Sequence, residues 1–288
     1  DRPLILDGLV SGAIDPAGLA RVAAPVVAMV HHPLAHESGL DPARRRHLLA
    51  TERANLALAA HVLVPSPHTA RVLVAEYGVA PGRITIALPG TDRPALPAAA
   101  AAPPLVLSVG LHHPRKGQPV LLRALARLTD LDWRAEVVGR VQDAACFAAH
   151  RALCTALGLD GRVAVRGQVE DAEIEALDAA ASVFALATEY EGYGMVFAEA
   201  LARGLPIVAC LAGAIPETVP ADAGILVPVG DAESMAAALR RLLADAATRR
   251  GMAAAAARHG AALPAWDDTA RIAGAVLNRV ARPEPARA

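Results

Sequence analysis

The sequence predicts an α/β protein of two domains with parallel sheets, and three observations lead to this prediction. Short apolar segments alternate with helical segments rich in Ala, Leu and Arg along nearly the whole chain. The apolar segments are continuous rather than interrupted at every second residue, which is typical of parallel strands covered on both faces. A segment rich in Pro and Ala at 94–104 interrupts this order and indicates a linker between two domains.

Nine segments have the composition of strands: Val26–Val30, His61–Val64, Ile84–Leu88, Leu105–Val109, Ala135–Gly139, Val163–Arg166, Val183–Ala187, Pro206–Cys210 and Ile225–Val227. Helical patterns lie between and after them, at 42–60, 117–129, 143–157, 171–181, 194–203, 231–244, 246–259 and 266–281. Continuous strands that alternate with helices favour a parallel sheet with helices on both faces.

The domain boundaries follow from the position of the linker. Residues 105–263 contain enough strand and helix segments for a complete doubly wound domain. Residues 1–93 have room for only about four strands, so we expect an N-terminal domain of the same type that lacks its first part. The segment 264–282 is predicted to form a helix that returns toward the N-terminal domain, and 283–288 a disordered tail.

Composition excludes several classes of function. The chain has 288 residues and a net charge of −1, which does not favour binding to nucleic acid. No apolar run is long enough to span a membrane without an intervening proline or charge. Cys146, Cys154 and Cys210 form no C-x-x-C pair, so we expect reduced thiols in a cytoplasmic protein. The chain begins with Asp1 rather than Met, and we expect that this is not the native N-terminus.

The segment most informative about function is Thr188–Cys210, which follows a predicted strand. Gly192 and Gly194 lie just before a helix, so backbone N–H groups at the helix N-terminus can approach a phosphate closely. Glu191 lies at the carboxyl end of the strand, where ligands bind in open α/β sheets. Glu199 lies about two turns further along the helix, and its carboxylate can accept hydrogen bonds from both hydroxyls of a ribose.

The pattern Glu-x7-Glu with Gly-Tyr-Gly in between resembles the donor-binding signature of family-4 retaining glycosyltransferases of GT-B fold. The resemblance implies that Glu191 contacts the donor sugar, that Glu199 contacts the ribose and that the backbone near Val169 binds the base. The loop residues that it places at the diphosphate are Gly192, Tyr193, Gly194 and Met195. It further implies two Rossmann-like domains, a UDP- or GDP-sugar as donor, and no metal or other cofactor.

A second segment, Leu105–Leu125, carries cations behind a buried strand. Lys116 is the only lysine among 28 basic residues, and Arg115 precedes it. The segment is similar to the family's VGR-x3-[PR]-KG motif, whose cations bind the donor diphosphate, a role suited to a Lys point charge and an Arg fork. Leu111 departs from the motif because the family often has arginine at that position.

A third segment, Val26–Leu40, brings His31 and His32 to the end of a predicted strand. The resemblance implies a histidine near the donor sugar. Adjacent side chains of an extended chain point to opposite faces, so only one of the two is expected to reach it. A metal site formed by His31, His32 and His36 is an alternative, but apart from Glu37 it has no suitable partner, and we expect no metal there.

Arg44, Arg45 and Arg46 form a basic run on the predicted helix 42–60. Such a run is either a solvated helix face or a contact surface for anionic lipid or an anionic acceptor. The second interpretation predicts a peripheral position on the inner face of the membrane.

Other functions are less compatible with the sequence. A nicotinamide-dependent dehydrogenase needs a G-x-G-x-x-G segment after its first strand, which is missing in that context. A nucleotide-sugar 2-epimerase of the same architecture and a homologue that binds nucleotide sugar without turnover remain as alternatives. The Glu-x7-Glu pattern favours transfer of a sugar to a glycan, lipid or small-molecule acceptor.

Overall fold

The computed structural model describes residues 2–96 and 98–281. The predicted tail 283–288 therefore lies outside the described residues. The chain divides into two compact units, of which one contains the residues up to Gly90 and from Pro264 onward, and the other Thr91–Leu263. Each unit is built on a parallel sheet, which confirms the predicted α/β class.

Within the described residues there are ten strands: β1 (Leu4–Asp7), β2 (Val26–Met29), β3 (His61–Val64), β4 (Ile84–Ile86), β5 (Leu105–Val109), β6 (Arg134–Val138), β7 (Val163–Arg166), β8 (Val183–Leu186), β9 (Ile207–Cys210) and β10 (Gly224–Val227). The α-helices in the same ranges are α1 (Gly8–Ser11), α2 (Pro16–Leu19), α3 (Pro42–Leu58), α4 (Pro67–Tyr77), α5 (Gln118–Ala126), α6 (Ala144–Ala156), α7 (Asp171–Ala180), α8 (Met195–Ala202), α9 (Ile215–Thr218), α10 (Ala232–Ala244), α11 (Ala246–Ala261) and α12 (Trp266–Ala281). Short 3₁₀ turns occupy Leu34–His36, Pro81–Arg83 and Pro114–Lys116. Every predicted strand is present within two residues of its predicted bounds, whereas β1 was not predicted.

The first unit contains a four-stranded parallel sheet in the order β1-β2-β3-β4. Side chains alternate between the two faces of its strands. Ala28 and Val62 pack with residues of α3 and α4, whereas Val27 and Leu63 pack with Val276 of α12 on the other face. The helix after residue 264 therefore completes the hydrophobic core of this unit.

The second unit contains a six-stranded parallel sheet in the order β10-β9-β8-β5-β6-β7. One face packs on α5, α6 and α10, where Val106 and Val137 share a core with Leu121. The other face packs on α8, α9 and α11, where Leu107 and Phe184 lie at the centre. Both faces are covered, as the continuous apolar strands predicted.

Most of the longer helices begin at a side-chain cap that can be read from the sequence. Asp41, Ser66, Asp143, Asp231 and Asp245 each accept a hydrogen bond from a backbone N–H in the first turn of the following helix. These bonds satisfy amide groups that have no partner inside the helix. The helix starts are thus set by local sequence.

The segment 91–104 belongs to the second unit and is held by several hydrogen bonds. Arg93 donates to the carbonyl oxygen of Gly260 at 3.0 Å, near the end of α11. Arg203 donates to the carbonyl oxygen of Leu96 at 2.9 Å. The described part of this Pro- and Ala-rich segment is therefore attached to the surface of the second unit.

Candidate functional site

Most of the predicted site residues of the second unit lie where the strand order of its sheet reverses. β5 pairs with β6 on one side and with β8 on the other, so the chain leaves the two central strands in opposite directions. In open α/β sheets this divergence opens a crevice at the carboxyl ends of the strands, and ligands bind there. The loop 110–117 follows β5 and the loop 187–194 follows β8. These loops contain the two motifs that the sequence singles out.

The structure brings Lys116 and Glu191 into direct contact. Lys116 Nζ donates to Glu191 Oε1 at 2.5 Å, and each side chain is only 11% exposed. Arg115 Nη1 lies 3.8 Å from the same oxygen and donates to the carbonyl oxygen of Tyr190 at 2.7 Å. Thr188 Oγ1 is 2.9 Å from Glu191 Oε1. A carboxylate and two cations from separate loops thus form one charged cluster.

Two glycines allow the loops around this cluster to approach each other. At Gly117, with φ +64°, a Cβ atom would lie 2.1 Å from the carbonyl oxygen of Ala187 at the end of β8. At Gly213, with φ +53°, it would lie 2.3 Å from the carbonyl oxygen of Glu191. The N–H group of Ala214 donates to that same oxygen at 2.9 Å. Glycine is required at both positions because the backbone has a positive φ there and because a Cβ atom would overlap the neighbouring backbone.

Replacement of Gly213 by alanine is expected to displace Glu191 and to destabilise the protein. The added Cβ atom would overlap the Glu191 backbone, so we expect the free energy of unfolding to fall by about 1–3 kcal/mol. Gly230→Ala is the matched control, because its φ of +77° imposes similar strain while no atom lies within 4 Å of the added Cβ. Urea unfolding measures both variants, and equal losses would contradict the close packing at Gly213.

The helix α8 begins directly behind the cluster. Gly194 precedes it with φ +85°, and a Cβ atom there would lie 2.6 Å from the Phe197 ring. The Thr218 hydroxyl donates to the carbonyl oxygen of Tyr193 at 2.7 Å and so fixes the loop before the helix. Met195 is exposed at the first position of α8. The N-terminus of α8 therefore lies on the loop that carries Glu191.

Glu199 lies on the second turn of α8. Its side chain is exposed by surface area, yet the surrounding protein raises the pKa of its carboxyl, and the carboxylates of Asp178 and Asp92 raise it further. No donor among residues 2–96 and 98–281 forms a hydrogen bond with the Glu199 carboxylate, so it can accept ligand hydroxyls.

Val169 lies in the loop between β7 and α7 and is half-buried. β7 is separated from β5 by β6, so Val169 is on the same edge of the sheet as Lys116 but two strands away. In the described part of the chain no hydrogen bond joins it to the cluster around Glu191.

His31 and His32 follow β2 in the first unit. His31 Nε2 lies 2.9 Å from Asp7 Oδ2, and His32 Nε2 lies 3.1 Å from Glu37 Oε2. Burial acts to raise the pKa of Asp7, but the hydrogen bonds from the Leu9 N–H and from His31 outweigh it and lower that pKa. Each histidine therefore has its own carboxylate partner.

Sequence reasoning missed Glu52, which supports the loop after His32. Its buried carboxylate accepts hydrogen bonds from the N–H groups of Leu34 at 2.8 Å and Ala35 at 3.3 Å, and from the Tyr77 hydroxyl at 3.1 Å. Burial raises the pKa of Glu52, and these hydrogen bonds oppose the rise. In the sequence it is one of several charged residues of α3, and no local pattern marks it.

A buried chain of hydrogen bonds behind the loop 110–117 was also missed. His112 Nε2 lies 2.7 Å from the carbonyl oxygen of Arg166, so it carries the proton, and Nδ1 accepts from His150 Nδ1 at 3.1 Å. His150 Nε2 then accepts from the Cys146 thiol, whose Sγ lies 3.3 Å away. Burial, together with the neighbouring His112, lowers the pKa of His150 to about 4. Cys146 and His150 are four residues apart, a helical spacing that could have revealed the pair.

The basic run on α3 is exposed, and Arg44, Arg45 and Arg46 all lie in its first turns. No helix in the described ranges has the length and apolar character needed to cross a membrane. No group of three or more His, Cys, Asp or Glu side chains suited to a metal ion occurs in those ranges. His36, the third histidine of the alternative metal site, has its Nε2 2.8 Å from Oε2 of Glu76.

Comparison with solved structures identifies the fold. Sucrose-phosphate synthase from Thermosynechococcus elongatus superposes with a TM-score of 0.83 at 27% identity, covering 97% of this chain and 73% of that protein. Anabaena HepE in complex with UDP-glucose superposes with a TM-score of 0.76 at 21% identity, covering 88% and 72%. The two parallel sheets are those of the GT-B glycosyltransferase fold.

Sequence comparison agrees with the fold. Residues 10–93 match the model of Glycosyltransferase Family 4, and residues 103–245 match that of Glycosyl transferases group 1. The chain therefore belongs to the family-4 glycosyltransferases, whose C-terminal domain is the group 1 domain, as its motifs predict. It is 26% identical over 241 residues to an MMP alpha-(1->4)-mannosyltransferase from Mycolicibacterium hassiacum, covering 78% of this chain and 58% of that protein. The chain spans about half the length of the curated relatives that it matches.

Proposed function

We propose that the protein transfers a sugar from a UDP- or GDP-linked donor to a hydroxyl group of a glycan, lipid-linked or small-molecule acceptor, with retention at the anomeric carbon. The observation that carries this proposal is the meeting of Arg115, Lys116 and Glu191 at the switch point of the second sheet. A relative of the same fold, Anabaena HepE, binds UDP-glucose, which supports a nucleotide sugar as ligand.

In this proposal the cations of the cluster stabilise the leaving group. A nucleoside diphosphate departs with additional negative charge while the anomeric carbon becomes oxocarbenium-like. Lys116 and Arg115 lie within 3.8 Å of Glu191 Oε1, and the N-terminus of α8 lies on the same loop. Fixed charges and N–H groups of this kind stabilise a transition state without reorganising as the charge develops. Arg115 supplies a guanidinium group in place of the arginine that the family often has at the position of Leu111.

The carboxylates hold the sugar parts of the donor. Glu191 accepts hydrogen bonds from hydroxyls of the transferred sugar, and Glu199 accepts them from the ribose. Within the described residues no protein group forms a hydrogen bond with the Glu199 carboxylate that would compete with the ribose. The backbone near Val169 receives the base. No metal or other cofactor enters this scheme. The role of His31 or His32 at the donor sugar stays a prediction.

We further propose that the protein works in the cytoplasm, at the inner face of the membrane when its acceptor is lipid-linked. Cys146, Cys154 and Cys210 are free thiols, which suits a reducing compartment. Exposed Arg44, Arg45 and Arg46 offer a surface for anionic headgroups.

A thermal-shift screen against UDP-, GDP- and ADP-sugars tests the proposal. A sugar nucleotide that is the true donor substrate is expected to raise Tm by about 5 °C or more when its concentration is about one hundred times its dissociation constant. Glu199→Ala is expected to reduce this rise by about half, because the ribose loses its acceptor. Glu233→Ala, an exposed carboxylate on α10, is the matched control and should behave like the natural protein.

The same samples are then assayed for transfer and for hydrolysis of the stabilising sugar nucleotide. Turnover with the anomeric configuration retained, read by NMR, supports the proposal. If no nucleotide sugar raises Tm, the site assignment is wrong. Stabilisation without turnover supports a binding homologue instead, and conversion of the free nucleotide sugar to its 2-epimer supports an epimerase.

A further inference from the structure

The carboxylate of Glu191 is held through a single oxygen by two donors. Lys116 Nζ lies 2.5 Å from Oε1, and Thr188 Oγ1 lies 2.9 Å from the same atom. Thr188 is completely buried and lies two residues after the end of β8. Within the described residues all hydrogen bonds to this carboxylate are made at Oε1, which leaves Oε2 for a ligand.

The geometry identifies the acceptor of the Thr188 hydroxyl proton. Oγ1 also lies 3.2 Å from the carbonyl oxygens of Arg115 and Tyr190. Both carbonyls already accept other hydrogen bonds, from the Glu189 N–H at 2.8 Å and from Arg115 Nη1 at 2.7 Å respectively. A hydroxyl group has one proton, and the charged, closer acceptor forms the stronger bond. The proton therefore points to Glu191.

The two donors to Glu191 differ in what happens when a ligand arrives. Lys116 has a flexible side chain with three N–H donors, and in the proposed function it also neutralises the donor diphosphate. The diphosphate carries more negative charge than Glu191 and competes for the ammonium group. Thr188 has a short, buried side chain and does not face that competition. Its bond to Oε1 is the contact that persists.

Resting on the proposed function, we propose that Thr188 is a positioning residue for recognition of the donor sugar. Its hydroxyl keeps Oε1 of Glu191 in place when the diphosphate attracts Lys116, so that Oε2 remains available to the hydroxyls of the sugar. Recognition of the sugar then depends on Thr188, whereas recognition of the nucleoside diphosphate does not.

Calorimetric binding of matched pairs, UDP with UDP-glucose and GDP with GDP-mannose, tests this inference on the whole chain. Thr188→Val removes the hydroxyl and keeps the shape of the side chain. We expect it to weaken binding of the nucleotide sugar about tenfold, because a hydrogen bond to a charged group is lost, and to change binding of the nucleoside diphosphate less than about twofold. Thr188→Ser keeps the hydroxyl and is expected to restore the affinity for the sugar nucleotide.

Thr155→Val is the matched control, because it removes an exposed hydroxyl on α6 whose hydrogen-bond partner is the exposed side chain of Asp160. Thr188→Ala replaces the valine variant if the latter does not fold. An equal loss of affinity for both members of a pair, or no rescue by serine, would overturn the role of Thr188. If the natural protein binds none of the four ligands, the proposed function itself is wrong and this inference with it, a result that is seen before any variant is compared.

Discussion

Lys116→Ala is expected to lower kcat/KM for sugar transfer by about two to three orders of magnitude, because one fixed donor to the leaving group is lost. We expect calorimetry to show weaker binding of UDP and GDP as well. The variant also leaves Glu191, which is only 11% exposed, without the ammonium group 2.5 Å away. A second effect, a lower free energy of unfolding, is therefore expected.

The double variant Lys116→Met with Glu191→Gln separates these two effects. It removes both charges together, so stability should recover while diphosphate binding does not. Arg123→Ala, which removes an exposed cation from α5 in the same unit, is the matched control. Unchanged affinity of Lys116→Ala for UDP and GDP would contradict the assignment of Lys116 to the diphosphate.

Acid is expected to destabilise the second unit through His150. Its pKa is about 4 in the fold and about 6.5 in the unfolded chain, so the unfolded chain takes up the proton first as the pH falls. The stabilisation is complete above about pH 6.5 and is lost as the pH falls toward 4. From pH 7.5 to pH 4 the loss from this group is expected to be about 3 kcal/mol. Urea unfolding at a series of pH values measures it.

The variant His150→Gln isolates this contribution from that of the carboxylates. The glutamine amide can still donate to His112 Nδ1 but takes up no proton in this range. The free energy of unfolding of the variant should therefore fall by about 3 kcal/mol less than that of the natural protein between pH 7.5 and pH 4. A variant with the pH dependence of the natural protein would show that His150 does not carry the effect. The hydrogen bonds of the buried His150 ring to His112 and Cys146 give a structural reason to expect this pH dependence.

Much of the second unit could be predicted from sequence because its patterns are local. Continuous apolar runs predicted β5 to β10, and the order of Gly192, Gly194 and Glu199 predicted a loop and a helix that the structure contains. β1 was missed because it is a four-residue edge strand with three exposed residues, so it lacks the buried pattern of a central strand.

Most of the polar residues that sequence reasoning missed share a different property. Glu52 and the pair His112 and His150 bond to partners distant in sequence: Glu52 accepts hydrogen bonds from Leu34 and Tyr77, and His112 donates to the Arg166 carbonyl. Nothing in the residues around each of them announces such a partner. Two pairs have a spacing that could have been recognised: Cys146 and His150, four residues apart, and Thr188 and Glu191, three residues apart.

The sequence by itself determined the family, the two parallel sheets and the two loops that carry Lys116 and Glu191, because glycines, caps and apolar periodicity act over a few residues. Only the tertiary structure decided that these loops meet. β5 and β8 are adjacent although 73 residues lie between Val109, where β5 ends, and Val183, where β8 begins. A contact over that distance depends on strand pairing in the folded sheet. The same pairing brings Thr188 and Lys116 to one carboxylate oxygen, because parallel strands place the loops at their carboxyl ends on one edge.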